Sequence, residues 1–341
     1  MISKKIIKDS KDRSGNADGC KKLKQSYENA EETVNLILGT AMIRPELRLE
    51  HLEGLEARYI RKTNTIVLNK NRLIAGQWQK NECNDTLAHE LTHHAQMISN
   101  LYSKTGYFEK AYIDIDNKIN EDNLRSASKN IKNSFKIANK LQTKVSINEI
   151  KLVDEGFKER VVNESLAYFI GAYAFSGNAG SNMHKKRSVM FNKLFDASEI
   201  AQIKRRNNIA KFYLDVISKF AKPVDEKSKV DALRSIIRTG FVEERAKLAK
   251  KIAVIAFAEN GFSVLKTAQF LFRPWNEVLQ SIAKIAKSQK KSVSRLHVID
   301  DIWSAKLGYD NKRRSIQKLI RGAIENNYTT KITNNPSTSK H

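Results

Sequence analysis

The fold and chemistry of this chain are predicted by one stretch, residues 85–99, which reads DTLAHELTHHAQMIS. Its apolar residues recur at helical spacing and no proline interrupts it, so it predicts an α-helix. Within it stands the run His89-Glu90-Leu91-Thr92-His93. Histidines four residues apart lie on one face of a helix, so both imidazoles can reach the same metal ion. Glu90 can accept a proton from a water held by that ion.

We predict that this helix runs from Asp85 to about Ser103. Asn84, Asp85 and Thr86 are residue types that commonly cap a helix N-terminus, and Gly106 offers a stop at the other end. Catalytic zinc sites use three protein ligands and leave a fourth position for water. The motif supplies two ligands for Zn²⁺ and a general base, so the third ligand must come from elsewhere in the chain.

The charge of the chain is strongly positive and unevenly distributed. Its 341 residues carry 61 lysines and arginines against 37 acidic residues, and residues 177–341 hold 33 of the basic and 14 of the acidic ones. Two interpretations remain open for this half. It binds an anionic partner, most often nucleic acid and then without sequence specificity, or its lysines only keep a helical region soluble.

Composition also limits the class of protein. Four prolines and 14 glycines favour a mostly helical chain, and its two cysteines do not make a disulfide framework. No run of about 18 apolar residues predicts a membrane span. The N-terminus has no apolar run typical of a signal peptide, so we expect a cytoplasmic protein.

Four regions follow from the patterns along the chain: a flexible basic arm (1–25), an α+β domain (26–180), a basic all-helical region (181–328) and a disordered tail (329–341). The elements predicted in the second region are a short helix (25–39), strands (47–52, 55–61 and 65–69), the motif helix, a helical insertion (about 107–145) and a long helix (146–175).

The third ligand separates the classes of zinc peptidase. Metzincins place a third histidine six residues after the second, where this chain has Ser99, and SprT-like proteases place it five after, where it has Ile98. Neither residue is a zinc ligand, so both classes are disfavoured. The remaining common arrangement takes a glutamate from a later helix.

With these motifs, residues 45–180 resemble a gluzincin-type zinc metallopeptidase. The resemblance rests on the histidine motif, on a later glutamate helix and on Thr65–Asn69, which resembles the edge strand on the substrate side. It implies a zincin-like α+β fold with a small antiparallel or mixed sheet. It also implies that His89 and His93 bind Zn²⁺ and that Glu90 is the base in hydrolysis of a protein or peptide substrate.

Two glutamates of the predicted long helix are candidates for the third ligand. Glu155 begins a Glu-Gly-Phe run that resembles many gluzincins, although Lys158 stands where a small residue is usual. Glu164 begins a Glu-x-x-Ala-Tyr run that resembles small bacterial and phage zincins. Its neighbours are apolar, and a carboxylate is costly to bury there unless an ion or partner offsets the cost. We therefore predict Glu164, with Glu155 as the alternative and His184 as a further candidate.

The basic half contains a weaker pattern at residues 245–286. Two apolar helical runs flank a turn at Gly261, and Pro274 precedes a third run, which resembles a helix-turn-helix. A helical extension packed on the catalytic domain is the interpretation that we favour.

For the chain as a whole, the rival to a peptidase is a nucleic-acid-binding protein with a structural or vestigial zincin domain. A structural zinc normally has a fourth protein ligand, which the sequence does not show, and it has no need of Glu90.

Overall fold

In the computed structural model of this chain, the described residues form three strands and eleven α-helices. The structure describes residues 17–39, 44–53, 55–74, 80–99, 105–119, 131–179, 183–194, 224–239 and 242–289. The strands are β1 (Glu46–Glu50), β2 (Ala57–Ile60) and β3 (Thr65–Asn69). The helices are α1 (Ala17–Leu38), α2 (Lys70–Ile74), α3 (Lys80–Ile98), α4 (Thr105–Asp116), α5 (Ile131–Leu141), α6 (Ile147–Phe175), α7 (Met183–Leu194), α8 (Lys229–Thr239), α9 (Val242–Glu259), α10 (Val264–Leu271) and α11 (Trp275–Gln289). A mostly helical α+β chain with a small mixed sheet was predicted and is confirmed.

The sheet has the order β1-β3-β2, with β1 parallel and β2 antiparallel to β3. All five residues of β3 are buried, because consecutive apolar residues cover both faces of a central strand. The prediction that Thr65–Asn69 is an edge strand was therefore wrong. The edge strand that packs against the motif helix α3 is β2.

Helix α6 is the element on which the other large helices pack. It begins with a capping box, in which Ser146 accepts a hydrogen bond from the Glu149 backbone N–H and Glu149 accepts one from the Ser146 backbone N–H. This arrangement satisfies backbone donors at the helix N-terminus that would otherwise have no partner. Helices α3, α4, α7 and α9 all contact α6. The predicted long helix at residues 146–175 is confirmed to within one residue.

The motif helix begins earlier and ends earlier than predicted. Because α3 starts at Lys80, Asn84, Asp85 and Thr86 lie inside the helix and do not cap it. This first turn is stabilised by tertiary packing on α1, where Cys83 and Asn84 are buried. Gly106 belongs to the first turn of α4 and does not end the motif helix.

The N-terminal helix also departs from the prediction. Helix α1 begins at Ala17, so residues 17–25 are helical although we had placed them in a flexible arm. Residues 1–16 of that arm, the tail at 329–341 and the part of the basic region beyond residue 289 lie outside the described residues. The predicted insertion consists of α4 and α5 where it is described, and α4 packs on α6.

The helices of the basic half share one core with α6. Phe169 of α6 packs on Phe257 of α9 with ring centroids 5.2 Å apart, and Phe191 of α7 packs on Phe257 at 5.5 Å. Phe262, in the turn after α9, closes the group at 5.5 Å from Phe257. The boundary that we placed at residue 180 thus crosses a continuous core in the described residues. Residues 245–286 form α9, α10 and α11, which all contact α6, as expected of a packed helical extension.

None of the helices in the described part of the chain is both long and apolar enough to span a membrane.

Candidate metal centre

Three side chains from two helices converge on one point. The Nε2 atoms of His89 and His93 lie 3.1 Å apart. The Oε2 atom of Glu164 lies 3.3 Å from the first of these nitrogens and 3.4 Å from the second. Helix α3 supplies both histidines one turn apart, and α6 crosses it so that Glu164 faces them. These three residues form a cluster that can hold a metal ion.

The spacing of the three atoms fits a zinc ion. Two ligands of a tetrahedral zinc lie about 3.3 Å apart when each is about 2.0 Å from the metal. The three observed separations, 3.1, 3.3 and 3.4 Å, agree with that value. Imidazole nitrogen and carboxylate oxygen are both ligands that zinc accepts. The residues present therefore fit a metal held by three protein ligands.

A buried amide fixes the orientation of one histidine. His93 Nδ1–H donates to Gln96 Oε1 at 3.1 Å, and Gln96 Nε2 donates to the backbone carbonyl of Asn163 at 3.0 Å. A histidine whose Nδ1 carries the proton and donates to a neighbour is in the tautomer that binds a metal through Nε2. Since Asn163 directly precedes Glu164, the same amide also connects the two helices beside the cluster.

The electrostatics of the cluster depend on its burial. Burial by itself raises the pKa of Glu164, but the charge of His93 and the hydrogen bonds from His89 and His93 outweigh it and hold that pKa well below its usual range. Burial lowers the pKa of His89, while Glu164, Glu90 and Asp85 together raise it above its ordinary value. The carboxylate is thus ionised, as a metal ligand must be.

Glu90 and Tyr168 lie beside the three ligand residues. Glu90 is 7% exposed, and its charge contributes to the raised pKa of both His89 and Tyr168. Tyr168 follows Glu164 by one turn of α6 and packs edge-on against His89, with ring centroids 4.6 Å apart. Burial is the main cause of the raised pKa of Tyr168, so its phenol keeps its proton. The Glu90 carboxylate therefore lies close enough to His89 and Tyr168 to interact with both electrostatically.

His94 lies outside the metal cluster and contacts the edge strand. Its Nδ1 lies 3.0 Å from the Tyr59 hydroxyl of β2, and that hydroxyl donates to Asn64 Oδ1 at 3.0 Å. The side chain is almost completely buried. This contact connects the edge strand β2 to the part of α3 that carries His93.

Glu155, the alternative ligand, does not join the cluster. Glu155 precedes Glu164 by nine residues, which places it about 13 Å away along the axis of α6, and the cluster contains Glu164 instead. His184 belongs to α7, but its side chain lies outside the described residues. The basic half also contains runs of lysine and arginine at 185–187, 204–206, 290–291 and 312–314. The first run lies on α7, and the other three lie outside the described residues. Nucleic-acid binding by this half stays a prediction.

Two side chains of the centre, Gln96 and Arg245, were not predicted from the sequence. Gln96 stands three residues after His93, a spacing at which helical side chains meet, so the pattern contained a signal for it. Arg245 of α9 lies 3.9 Å from Glu164 Oε1 and is buried. No local pattern connects it with a residue 81 positions earlier, so only the tertiary structure reveals this contact.

Comparisons of the chain with protein-family models, with curated proteins and with solved structures found no match.

Proposed function

We propose that this protein is a zinc-dependent metallopeptidase that hydrolyses peptide bonds in a protein or peptide substrate. The observation that carries the proposal is the convergence of His89 Nε2, His93 Nε2 and Glu164 Oε2 within 3.4 Å of one another. The HExxH run, the three interatomic distances of the cluster and the burial of Glu90 together support the proposal. A three-ligand centre leaves a position for water, as hydrolysis requires.

Zinc held by these residues would supply a Lewis acid that lowers the pKa of a water molecule and polarises the scissile carbonyl. Glu90 accepts the proton that the attacking water loses and later delivers it to the nitrogen of the leaving amine. The Gln96 amide keeps the His93 imidazole in the tautomer that ligates through Nε2. The Tyr168 ring, packed on His89, restricts the orientation of the other imidazole.

The edge strand β2 is the element that we assign to substrate binding. Among the described strands, β2 pairs with β3 alone and therefore lies at the edge of the sheet. Its residue Tyr59 connects it to the part of α3 that carries His93. An extended peptide can add to such an edge through backbone hydrogen bonds. A chain bound there would run beside the part of α3 that carries His93, and we propose that its scissile bond meets Glu90 there.

The identity of the metal is the first matter to test, since two histidines and one carboxylate also bind Fe(II) in oxygenases. The HExxH spacing with Glu90 as base supports zinc and hydrolysis. We expect the purified full-length protein to contain one zinc per chain by elemental analysis. His93→Ala should lose most of it, because the two remaining ligands hold zinc poorly.

His51→Ala is the matched control for this experiment. His51 is exposed and bonds to Asn71, away from the cluster, so its removal should leave the zinc content unchanged. Cleavage of an unfolded protein substrate, abolished by a chelator and restored by zinc, completes the test. A stoichiometric iron content, or a full equivalent of zinc retained by His93→Ala, would refute the proposal.

A further inference from the structure

A buried arginine of the basic half lies behind the glutamate of the metal centre. Arg245 stands in the first turns of α9, and its Nε lies 3.9 Å from Glu164 Oε1. The other carboxylate oxygen, Oε2, is the one that faces His89 and His93. The carboxylate therefore has one oxygen directed at the metal position and the other directed at a guanidinium. Both side chains are nearly excluded from solvent, with exposures of 9% and 12%.

We propose that Arg245 is a positioning residue that holds Glu164 so that a single oxygen, Oε2, is presented to zinc. This inference rests on the proposed function, because it assigns a partner to a ligand of the same centre. A carboxylate without a second partner can rotate and bind a metal through both oxygens. A cation beside Oε1 disfavours that rotation, and a guanidinium stays charged at every pH at which a protein is folded. Outer partners of this kind orient metal ligands.

The surroundings of Arg245 agree with this role. Helix α9 packs along α6, and Phe257 of α9 contacts Phe169 of α6 with ring centroids 5.2 Å apart. Lys250, further along α9, places its Nζ 5.0 Å from the centre of the Tyr168 ring. Helix α9 is thus held against α6 at more than one point. The basic half would therefore complete the metal centre and could not be removed without affecting it.

Electrostatic repulsion and positioning of Glu164 predict opposite changes in the zinc affinity of one variant, Arg245→Met. A guanidinium near a divalent cation repels it, so repulsion alone predicts that Arg245→Met binds zinc more tightly. Positioning predicts that Arg245→Met binds zinc about 10- to 100-fold more weakly, the range found for outer partners of metal ligands. Methionine is the substitution of choice because it keeps an unbranched side chain of similar reach without the charge.

The experiment measures zinc affinity of the full-length chain by titration against a competing chelator. Cobalt(II) in place of zinc should report the ligand geometry through its visible absorption. We expect weaker absorption bands in Arg245→Met, because a glutamate bound through both oxygens raises the coordination number and tetrahedral cobalt absorbs most strongly. Arg245→Lys keeps the charge without the planar group, so we expect it to recover part of the affinity. Arg245→Lys also tests the positioning role if Arg245→Met fails to fold.

Arg234→Met is the matched control, because Arg234 pairs with Asp231 on α8 and stacks on Phe135. The zinc affinity and the cobalt spectrum of Arg234→Met should equal those of the wild type. Unchanged or tighter zinc binding by Arg245→Met, with an unchanged cobalt spectrum, would overturn the positioning role and leave the proposed function standing. A wild-type chain that binds no zinc would instead refute both.

Discussion

The two halves of helix α6 use acidic residues in different ways. In the first half, Glu149 pairs with Lys118 at 2.8 Å and Asp154 pairs with Lys158 at 2.6 Å. In the second half, Glu164 faces two imidazoles and has a buried arginine behind it. The first pairs stabilise a helix and its packing, while Glu164 belongs to a cluster shaped for a metal. The difference shows that the partners of a carboxylate determine what it does.

The largest expected effect tests the role of general base that we propose for Glu90. Glu90→Gln should lower peptidase turnover by about 10²- to 10⁴-fold, the contribution typical of general acid–base catalysis. The amide is nearly isosteric but cannot accept the proton of the attacking water. Zinc content should stay at one equivalent, because Glu90 is not a ligand.

Glu82→Gln is the control for that variant, since Glu82 is an exposed residue in the first turn of the same helix. It should keep both zinc and turnover. Full activity in Glu90→Gln would remove Glu90 from the mechanism.

The second prediction compares the two halves of α6 directly. Glu164→Ala should weaken zinc binding at least about 100-fold, more than the loss of an outer partner does, because it removes one of three ligands. Glu155→Ala should leave the affinity unchanged, because Glu155 lies outside the cluster. A zinc titration of both variants decides this point. The reverse ranking would transfer the ligand role to Glu155.

The third prediction concerns the packing of the first half. Gly156 lets α4 approach α6, since a Cβ at that position would lie 2.9 Å from the Phe108 Cα atom and closer still to the Phe108 side chain. Gly156→Ala should therefore lower the free energy of unfolding by about 1–3 kcal/mol, as overpacking does. Chemical denaturation measures this change. Gly177→Ala, where a Cβ meets nothing within 4 Å, should change stability little, and an equal loss in both variants would argue against close packing as the cause.

The smallest expected effect concerns the beginning of α6. Lys118 and Ser146 lower the pKa of Glu149 from 4.5 to about 2. A lowered pKa in the folded state means that the ionised carboxylate stabilises the fold above about pH 4.5 and that this contribution is lost as the pH falls toward 2. Glu149→Gln should remove about 1 kcal/mol of stability at pH 6, the usual size of a capping contribution.

The measurement for Glu149→Gln is chemical denaturation at pH 6 and at pH 2. The difference between the variant and the wild type should shrink at the lower pH. A difference that stays constant with pH would mean that the Glu149 charge does not contribute. Glu28→Gln, on the exposed side of α1 where Glu28 pairs with Lys24 at 3.9 Å, is a suitable control.

Much of the candidate centre could be predicted from local sequence. The spacing of His89 and His93 places both on one face of a helix, because an α-helix repeats every 3.6 residues. The apolar neighbours of Glu164 likewise marked it as a carboxylate that needs a partner when buried. The cluster of these three residues in the structure agrees with that reasoning. The long helix from residue 147 was predictable for the same reason, since its periodicity and its capping residue are both local.

The sequence by itself determined the strands, the motif helix and the glutamate helix, because the periodicity of apolar residues depends on near neighbours. Only the tertiary structure decided that β3 is central and that α3 extends back to Lys80. It also brought Arg245 behind Glu164. These features depend on contacts between residues far apart in the chain, such as the burial of Cys83 against α1. No local pattern encodes such contacts, since they arise only when the helices pack around one core.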